Sequence, residues 1–362
     1  MEQEEARKWA EENFSGAEMS DVRRLERVIG IAEAMAITPG KSIPKLFARS
    51  YDVKASYNFF QHREATPDNI QAGHREIVLA ALEKPGRYLL LEDTAELTWS
   101  GKQTIDGLGP IGNGSEGMQG FHLHSVLAAR WIKPVGSEPE PVAVIGFADQ
   151  QYYVRQPRPE SEGSNNSQRR KYRERESQLW SNSTQRIGVA SNNSEIEWIR
   201  VCDRAADIYE FLESCQQAHH HFVVRANQDR ALVSNDEQSP QRLFSKVREQ
   251  TALGEFELYL RTRKQHPARN VKLSVSAVKV SLRSPWRPGK ALGESAINCT
   301  AVRVWEAEPV NGIEPLEWIL LCDCEVINFD QALECALIYS TRWLIDTYHR
   351  YYPYSYTFQK AA

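Results

Sequence analysis

Tyr88-Leu89-Leu90-Leu91 is a continuous apolar run, and Glu92-Asp93-Thr94 follows it at once. Apolar residues without alternation mark a strand buried on both faces, so this run belongs inside a sheet with packing over each side. The switch to acidic residues predicts that the strand stops there and holds the Asp93 carboxylate at the lip of the core. A second stretch repeats the arrangement. Ile196-Glu197-Trp198-Ile199-Arg200-Val201-Cys202 leads into Asp203, and a helical pattern runs from Arg204 to Leu212. If the two strands are neighbours, Asp93 and Asp203 meet at the edge of the sheet. Mg²⁺ takes oxygen ligands and binds through one or two carboxylates plus substrate phosphates, so the pair is a candidate cation site. An aspartate between a strand and a helix also serves as an N-cap, and for Asp203 that reading stands beside the metal one.

A chain of 362 residues can fill two or three domains with real cores. Its formal charge of −4 argues against a protein that coats nucleic acid indiscriminately. The average hides a local asymmetry, because Arg261 to Lys290 holds nine Lys or Arg residues and no Asp or Glu. Arg261, Arg263 and Lys264 open that stretch and are candidate phosphate contacts. No apolar run approaches the length of a membrane span. Met1-Glu2-Gln3-Glu4-Glu5 reads as an acidic helix start and not as a signal peptide. The six cysteines, at 202, 215, 299, 322, 324 and 335, show no Cys-x-x-Cys and no zinc spacing, which fits a reducing cytoplasm. Cys322 and Cys324 lie two apart on an expected strand and read as small core residues.

The first 85 residues read as helical, with segments over Glu4–Asn13, from Ser20-Asp21 to Pro39-Gly40, near Lys54–Gln61 and over Pro67–Leu82. A small all-helical unit is a common DNA-binding format. From Arg87 the pattern changes to strands. Gly107 to Gly120 contains six of the twenty glycines and reads as a long hairpin loop, without the Gly-Lys-Ser/Thr of a nucleotide-cradling loop. Phe121–Ala129 and Pro141–Ala148 are the next strands. His122 and His124 share a face of the first, where a hydrogen-bonded structural role outweighs a metal role. Past Asp203 come Phe222–Ala226, a helix over Gln241–Glu249, and strands at Glu255–Leu260, Val271–Arg283, Thr300–Trp305 and Trp318–Cys322. Within Val271–Arg283 the apolar parity shifts by one at Ala277/Val278, which predicts a bulge or tight bend. One helix is expected from Asp330 to about His349, ahead of an aromatic tail over 351–362.

The order of these elements and several short motifs resemble the bacterial cut-and-paste DDE transposases of the insertion-sequence-four family, most closely the transposon-five type. The motifs are Trp9-Ala10-Glu11-Glu12-Asn13-Phe14-Ser15, Ser20-Asp21-Val22-Arg23-Arg24, Gly40-Lys41-Ser42-Ile43, Glu92-Asp93-Thr94, His124-Ser125-Val126-Leu127, Cys202-Asp203-Arg204, Phe222-Val223-Val224-Arg225 and Pro315-Leu316-Glu317-Trp318. The resemblance implies an α/β fold: an RNase H-like, retroviral-integrase-like mixed-sheet core with a β-rich insertion, preceded by an all-helical domain. The implied boundaries are 1–85 for a helical domain that binds DNA ends, 86–226 for the first part of the core, 227–325 for the insertion, 326–350 for the final core helix and 351–362 for a divergent tail. It implies Mg²⁺ or Mn²⁺ held by Asp93, Asp203 and a third acid, with cleavage and strand transfer on double-stranded DNA at transposon inverted repeats. The third acid lies in a Tyr-x₂-Arg-x₃-Glu-x₆-Lys signature, whose first three positions fall on Tyr339, Arg342 and Asp346.

By the same resemblance, Arg342 contacts the phosphate backbone with support from Tyr339, and Trp318 stacks on a base flipped out near the cleavage site. On the residues alone, Trp318 reads as strand core. Arg225, Arg23 and Arg24 are further candidate DNA contacts, and a homodimer on paired ends is the implied assembly. Three positions depart from the pattern. Asp346 stands where Glu is expected, Ala205 stands in place of a Glu, and Pro353 stands in place of the Lys and is expected to end the helix. The resemblance stops near His349, so a C-terminally truncated copy is expected. The alternative to an active enzyme is a catalytically weak remnant that recognises transposon ends or inhibits transposition.

Overall fold

The computed structural model describes residues 1–99, 104–112, 118–132, 142–156, 175–233, 241–260, 268–285, 296–308 and 315–355. The N-terminal stretch forms α1 (Gln3–Phe14), α2 (Val22–Ile37), α3 (Ile43–Leu46), α4 (Ser50–Phe60) and α5 (Pro67–Leu82). Local chemistry sets two of the starts. Asp21 accepts the Arg23 N–H ahead of α2, and Thr66 accepts the Asn69 N–H ahead of α5, whose first residue is Pro67. Val28, Ile31 and Phe59 form the small core of this unit with Ala17. The turn after α1 meets α5 backbone to backbone, since a Cβ on Gly73 would stand 2.5 Å from the Gly16 Cα.

Helix α5 also fastens this unit to the rest of the chain. His74 Nε2 accepts the Phe147 N–H at 3.0 Å, which leaves Nδ1–H to donate to Asn13 Oδ1 at 2.8 Å. Arg186, held by Asp149 at 2.8 Å and by Asp68 at 2.5 Å, closes the same junction with charge.

Among the described residues, the remainder is built on one ten-stranded sheet. Its strands are β1 (Gly86–Trp99), β2 (Gly109–Pro110), β3 (Gln119–Arg130), β4 (Ala143–Tyr153), β5 (Ile196–Cys202), β6 (His221–Arg225), β7 (Gly254–Leu260), β8 (Arg269–Leu282), β9 (Ile297–Glu306) and β10 (Glu317–Cys322). On one side of β1, β3 runs antiparallel to it and β4 antiparallel to β3. On the other side, β5 and then β6 run parallel to it. Strands β10, β9, β8 and β7 then extend the sheet from β6, each antiparallel to its neighbour. The stretch 227–325 is therefore joined to the core by a continuous ladder of backbone hydrogen bonds. The covering helices are α6 (Gln178–Ile187), α7 (Tyr209–Gln217), α8 (Leu243–Arg248), α9 (Phe329–Ser340) and α10 (Trp343–Ser355).

The expected double burial of β1 is present. Leu89 and Leu91 pack with Ile199, Val201 and α9 on one face, while Tyr88 and Leu90 pack with Val78 and Leu82 of α5 on the other.

Five expectations need correction. Strand β1 does not stop at Glu92 but continues to Trp99, because β3 pairs with it along its whole outer half. No bulge lies at Ala277/Val278, and β8 pairs with β9 without a slip from Leu273 to Leu282. The parity shift arises because Val271, Leu273 and Val275 belong to the core under α9, whereas Val280 and Leu282 belong to the core under α7 and α8 on the opposite face. The helix expected right after Asp203 begins as a single 3₁₀ turn, Arg204–Ala206, with α7 starting at Tyr209. The last helix is two helices broken at Thr341-Arg342. The Ser340 and Thr341 hydroxyls bond back to the carbonyls of Leu337 and Ile338, competing with the helical ladder. Helix α10 continues through Pro353 to Ser355, since a proline removes one ladder bond and kinks a helix without necessarily ending it.

The Gly16–Gly73 contact leaves no room for a methyl group. Gly73→Ala is expected to cost about 1–3 kcal/mol through forced backbone displacement, read as a lower urea midpoint. An unchanged midpoint would show that the two backbones do not approach this closely.

Candidate active site

Parallel pairing of β1 with β5 ends at Glu92 opposite Cys202, so Asp93 and Asp203 are the next residues on adjacent strands. Side chains alternate along a strand. Asp93 and Asp203 therefore continue the face of Leu89, Leu91, Ile199 and Val201, which is the face that α9 covers. Helix α10 runs over the same place and contributes Asp346 and His349, with Arg342 just ahead of its first residue.

Arg342 is the hub. Its two terminal nitrogens hold both oxygens of Asp346, at 2.6 and 2.7 Å. Burial works to lower the guanidinium's pKa, but Tyr339, Asp346, Asp93 and Asp203 outweigh it and hold the charge more firmly than in water. Asp203 is pushed the other way. Burial raises its carboxyl pKa, and Asp93 and Asp346 add to this by repulsion, against the Ala205 N–H and Arg342. The Ala205 N–H donates to Asp203 Oδ1 at 2.8 Å. Asp203 thus caps the 3₁₀ turn and also belongs to the acidic group. His349 lies with Nδ1 3.4 Å from Asp93 Oδ2. Its Nε2 is buried without a hydrogen-bond partner among the described residues.

Hard oxygen donors in mutual repulsion, beside an unpartnered imidazole nitrogen, suit a divalent cation. The fit is incomplete at Asp346, whose carboxylate is taken by Arg342. Among the described residues, the three carboxylates do not bring their oxygens within 4.8 Å of one another.

Beneath these groups lies a network for which the sequence carries only a fragment of signal. Glu92 and Arg200 are both fully buried, and the Arg200 guanidinium grips Glu92 Oε2 at 2.9 and 2.5 Å. His124 Nε2 lies 2.7 Å from Glu92 Oε1, and Thr94 Oγ1 lies 2.7 Å from the other ring nitrogen. The Ser183 hydroxyl donates to the same carboxylate at 2.5 Å. Burial would raise the Glu92 pKa, yet Arg200, His124 and Ser183 together hold it below the ordinary carboxylate range. His124 thereby has the hydrogen-bonded structural place expected of it. The Glu92-Asp93-Thr94 motif contains two members of the network, but nothing in the spacing of Arg200 identifies it as their partner.

The other candidates divide into three groups. Trp318 and Tyr339 pack edge to face with ring centroids 5.1 Å apart. Burial raises the Tyr339 phenol pKa while Arg342 and Arg225 pull it down, so both guanidiniums lie beside this ring. Trp318 is half-buried at the rim of the core, in keeping with both its readings. On α2, Arg23 is exposed, whereas Arg24 is engaged with Glu64 at 2.9 Å and with the Ser20 hydroxyl. Arg261, Arg263 and Lys264 lie outside the described residues. Part of the acid-free stretch is neutralised in space by neighbouring segments. Arg269 pairs with Glu306, Lys272 with Glu255 and Lys279 with Glu325.

Residues 6–65 match the family described as transposase DNA-binding. The match covers α1 to α4 and ends before α5. It supports a DNA-binding transposase, with DNA as a partner. Among the described residues, no helix is long and apolar enough to cross a membrane.

Two outcomes follow from the charges. Asp203 has a folded-state pKa above its unfolded value. It contributes nothing below the unfolded value, near 3.9, and its ionised form destabilises the fold once the pH exceeds the raised one. Asp203→Asn is therefore expected to raise the unfolding temperature at neutral pH, with the gain vanishing at acid pH; a gain that persists there refutes the repulsion. Arg200→Met strands Glu92 in the core and is expected to cost about 3–5 kcal/mol. Chemical denaturation measures this, and a loss within half a kcal/mol would show that the pair is not structural.

Proposed function

We propose that this chain is a DNA transposase of the DDE type, similar to the insertion-sequence-four family, that cleaves and rejoins DNA at transposon inverted repeats. The observation that carries the reading is the convergence of Asp93 from β1, Asp203 from the end of β5 and Asp346 from α10, in a chain whose first helices match transposase DNA-binding. Strands β4-β3-β1-β5-β6, with their antiparallel and parallel halves, support an RNase H-like core.

Asp93 and Asp203 would hold Mg²⁺ or Mn²⁺, with Asp346 joining them when Arg342 turns to another anion. When bound, such metal ions supply Lewis acidity toward the phosphodiester and activate a water or a 3′-hydroxyl. The protein's own groups do the rest. Arg342 offers a fork of donors matched to a phosphate, and Tyr339 and Arg225 fix its surroundings. Trp318, only half-buried at the rim of the core, would offer its indole for stacking with an unpaired base. On the N-terminal unit, exposed Lys41, Lys45, Arg49 and Lys54 are interleaved with Tyr51 and Tyr57, a basic and aromatic surface suited to a DNA backbone. Two copies of the chain on paired ends are the assembly that the resemblance suggests.

A second reading is a chain that binds transposon ends without completing cleavage. It is favoured by the bidentate Arg342–Asp346 pair and by the shorter acid at 346. One experiment separates the two. Nicking of an inverted-repeat duplex is measured with Mg²⁺ alongside gel-shift affinity, for the unmodified chain and for Asp93→Asn and Asp203→Asn. The enzyme reading expects nicking that either substitution abolishes, with affinity changed less than about threefold. Undiminished cleavage in either variant removes the site assignment, and binding without nicking in the unmodified chain selects the second reading.

A further inference from the structure

At the far end of β6 from the acidic site, three residues of different chemistry converge. His221 opens β6, while Asp323 and Cys324 directly follow β10, the strand paired with it. One nitrogen, one carboxylate oxygen and one sulfur from these residues all lie within 4.8 Å of one another, the one such grouping of three among the described residues. His221 Nδ1 is buried and stands 3.4 Å from Asp323 Oδ1, and Asp323 and then Cys324 push the imidazole's pKa up to about 10, so a proton sits where the three groups converge and a cation would displace it.

Both other ligands are pinned from behind. The Phe222 N–H donates to Asp323 Oδ1 at 2.9 Å. The Thr300 hydroxyl donates to the Cys324 carbonyl at 3.1 Å. Outer contacts of this kind orient the ligands of metal sites and hold them against strain.

We propose that His221, Asp323 and Cys324 form a binding site for a borderline-soft divalent cation, with zinc as the natural occupant. Nitrogen, oxygen and thiolate are the donor types zinc selects, at distances of about 2.0–2.3 Å. Tetrahedral ligands at those distances stand about 3.3–3.8 Å apart, so only a small inward movement of side chains is needed. Three protein ligands leave the fourth position to water. The site is separate from the carboxylate group. His221 pairs with Ile199 on β5, four residues before Asp203, which is roughly 13 Å along the strand. A metal here ties the start of β6 to the end of β10, the joint where the parallel core meets the antiparallel extension.

The full chain, stripped with chelator, is titrated with Co²⁺ alone while absorbance is followed. The expected result is a thiolate-to-cobalt charge-transfer band that saturates near one equivalent, bleaches on addition of Zn²⁺, and persists in Asp93→Asn. Cys324→Ser should lose the band. His221→Ala, at a half-exposed position, should weaken Co²⁺ binding by roughly 10- to 100-fold. Zn²⁺ should raise the unfolding temperature of the unmodified chain and not that of Cys324→Ser. No band in the unmodified chain, a band undiminished in Cys324→Ser, or unchanged affinity in His221→Ala each overturns the proposal and leaves a His221–Asp323 ion pair in its place. If Cys324→Ser does not fold, the His221→Ala titration decides.

Discussion

A carboxylate and a guanidinium, both out of reach of water, join β1 to β5 directly beneath the acidic site. Glu92 and Arg200 are fully buried, and removal of either would leave a bare charge in the core. The pair also sets orientation. Because side chains alternate, a Glu92 turned down into this network obliges Asp93 to turn up toward α10. His124 from β3 and Ser183 from α6 bind the same carboxylate, so three strands and a helix are keyed to one side chain. The acids above it stand on a base that cannot slip in register without breaking a buried ion pair.

The upper layer is held by a different logic. There, one guanidinium faces three carboxylates, and only Asp346 has it at hydrogen-bonding distance. Asp203 has a raised pKa, first because it is buried and then because Asp93 and Asp346 repel it. A fold that keeps like charges together stores repulsion, which a cation or an incoming cationic group can relieve. Arg342 is the relief available within the chain itself, and a phosphate would compete with Asp346 for the same fork of donors.

Much of this was legible in residues 88–91 and 196–203. An unbroken apolar run demands cover on both faces, and that alone places Asp93 and Asp203 side by side once the strands pair in parallel. Four of the five N-terminal helices were legible from local chemistry, as where Asp21, Thr66 and Pro67 act within a single turn, whereas the one-turn α3 (Ile43–Leu46) carries too short a pattern to be read. What escaped depends on partners distant in sequence. Strand β1 outlasts its apolar run because β3 pairs with it, a fact residues 92–99 do not carry. The parity change in β8 is ambiguous in one dimension, where a bulge and a handover from one core to the other look alike. The break before α10 comes from the Ser340 and Thr341 hydroxyls, which an apolar periodicity does not register. The basic stretch after residue 260 looked uncompensated because its acidic partners, Glu255, Glu306 and Glu325, lie on other segments.

The contact between Asp93 and His349 spans 256 positions of the chain. Closing so long a loop costs entropy that only the finished sheet and α9 can offset, so the acidic site belongs to the slow, non-local part of folding. The N-terminal helices close much shorter loops, as in the 40 positions between Arg24 and Glu64. On a ribosome that releases the chain from its first residue, the surface matched to DNA binding can therefore take shape well before α10 has been made. During synthesis the protein passes through a stage in which the helices matched to DNA binding stand folded and the acidic cluster does not yet exist.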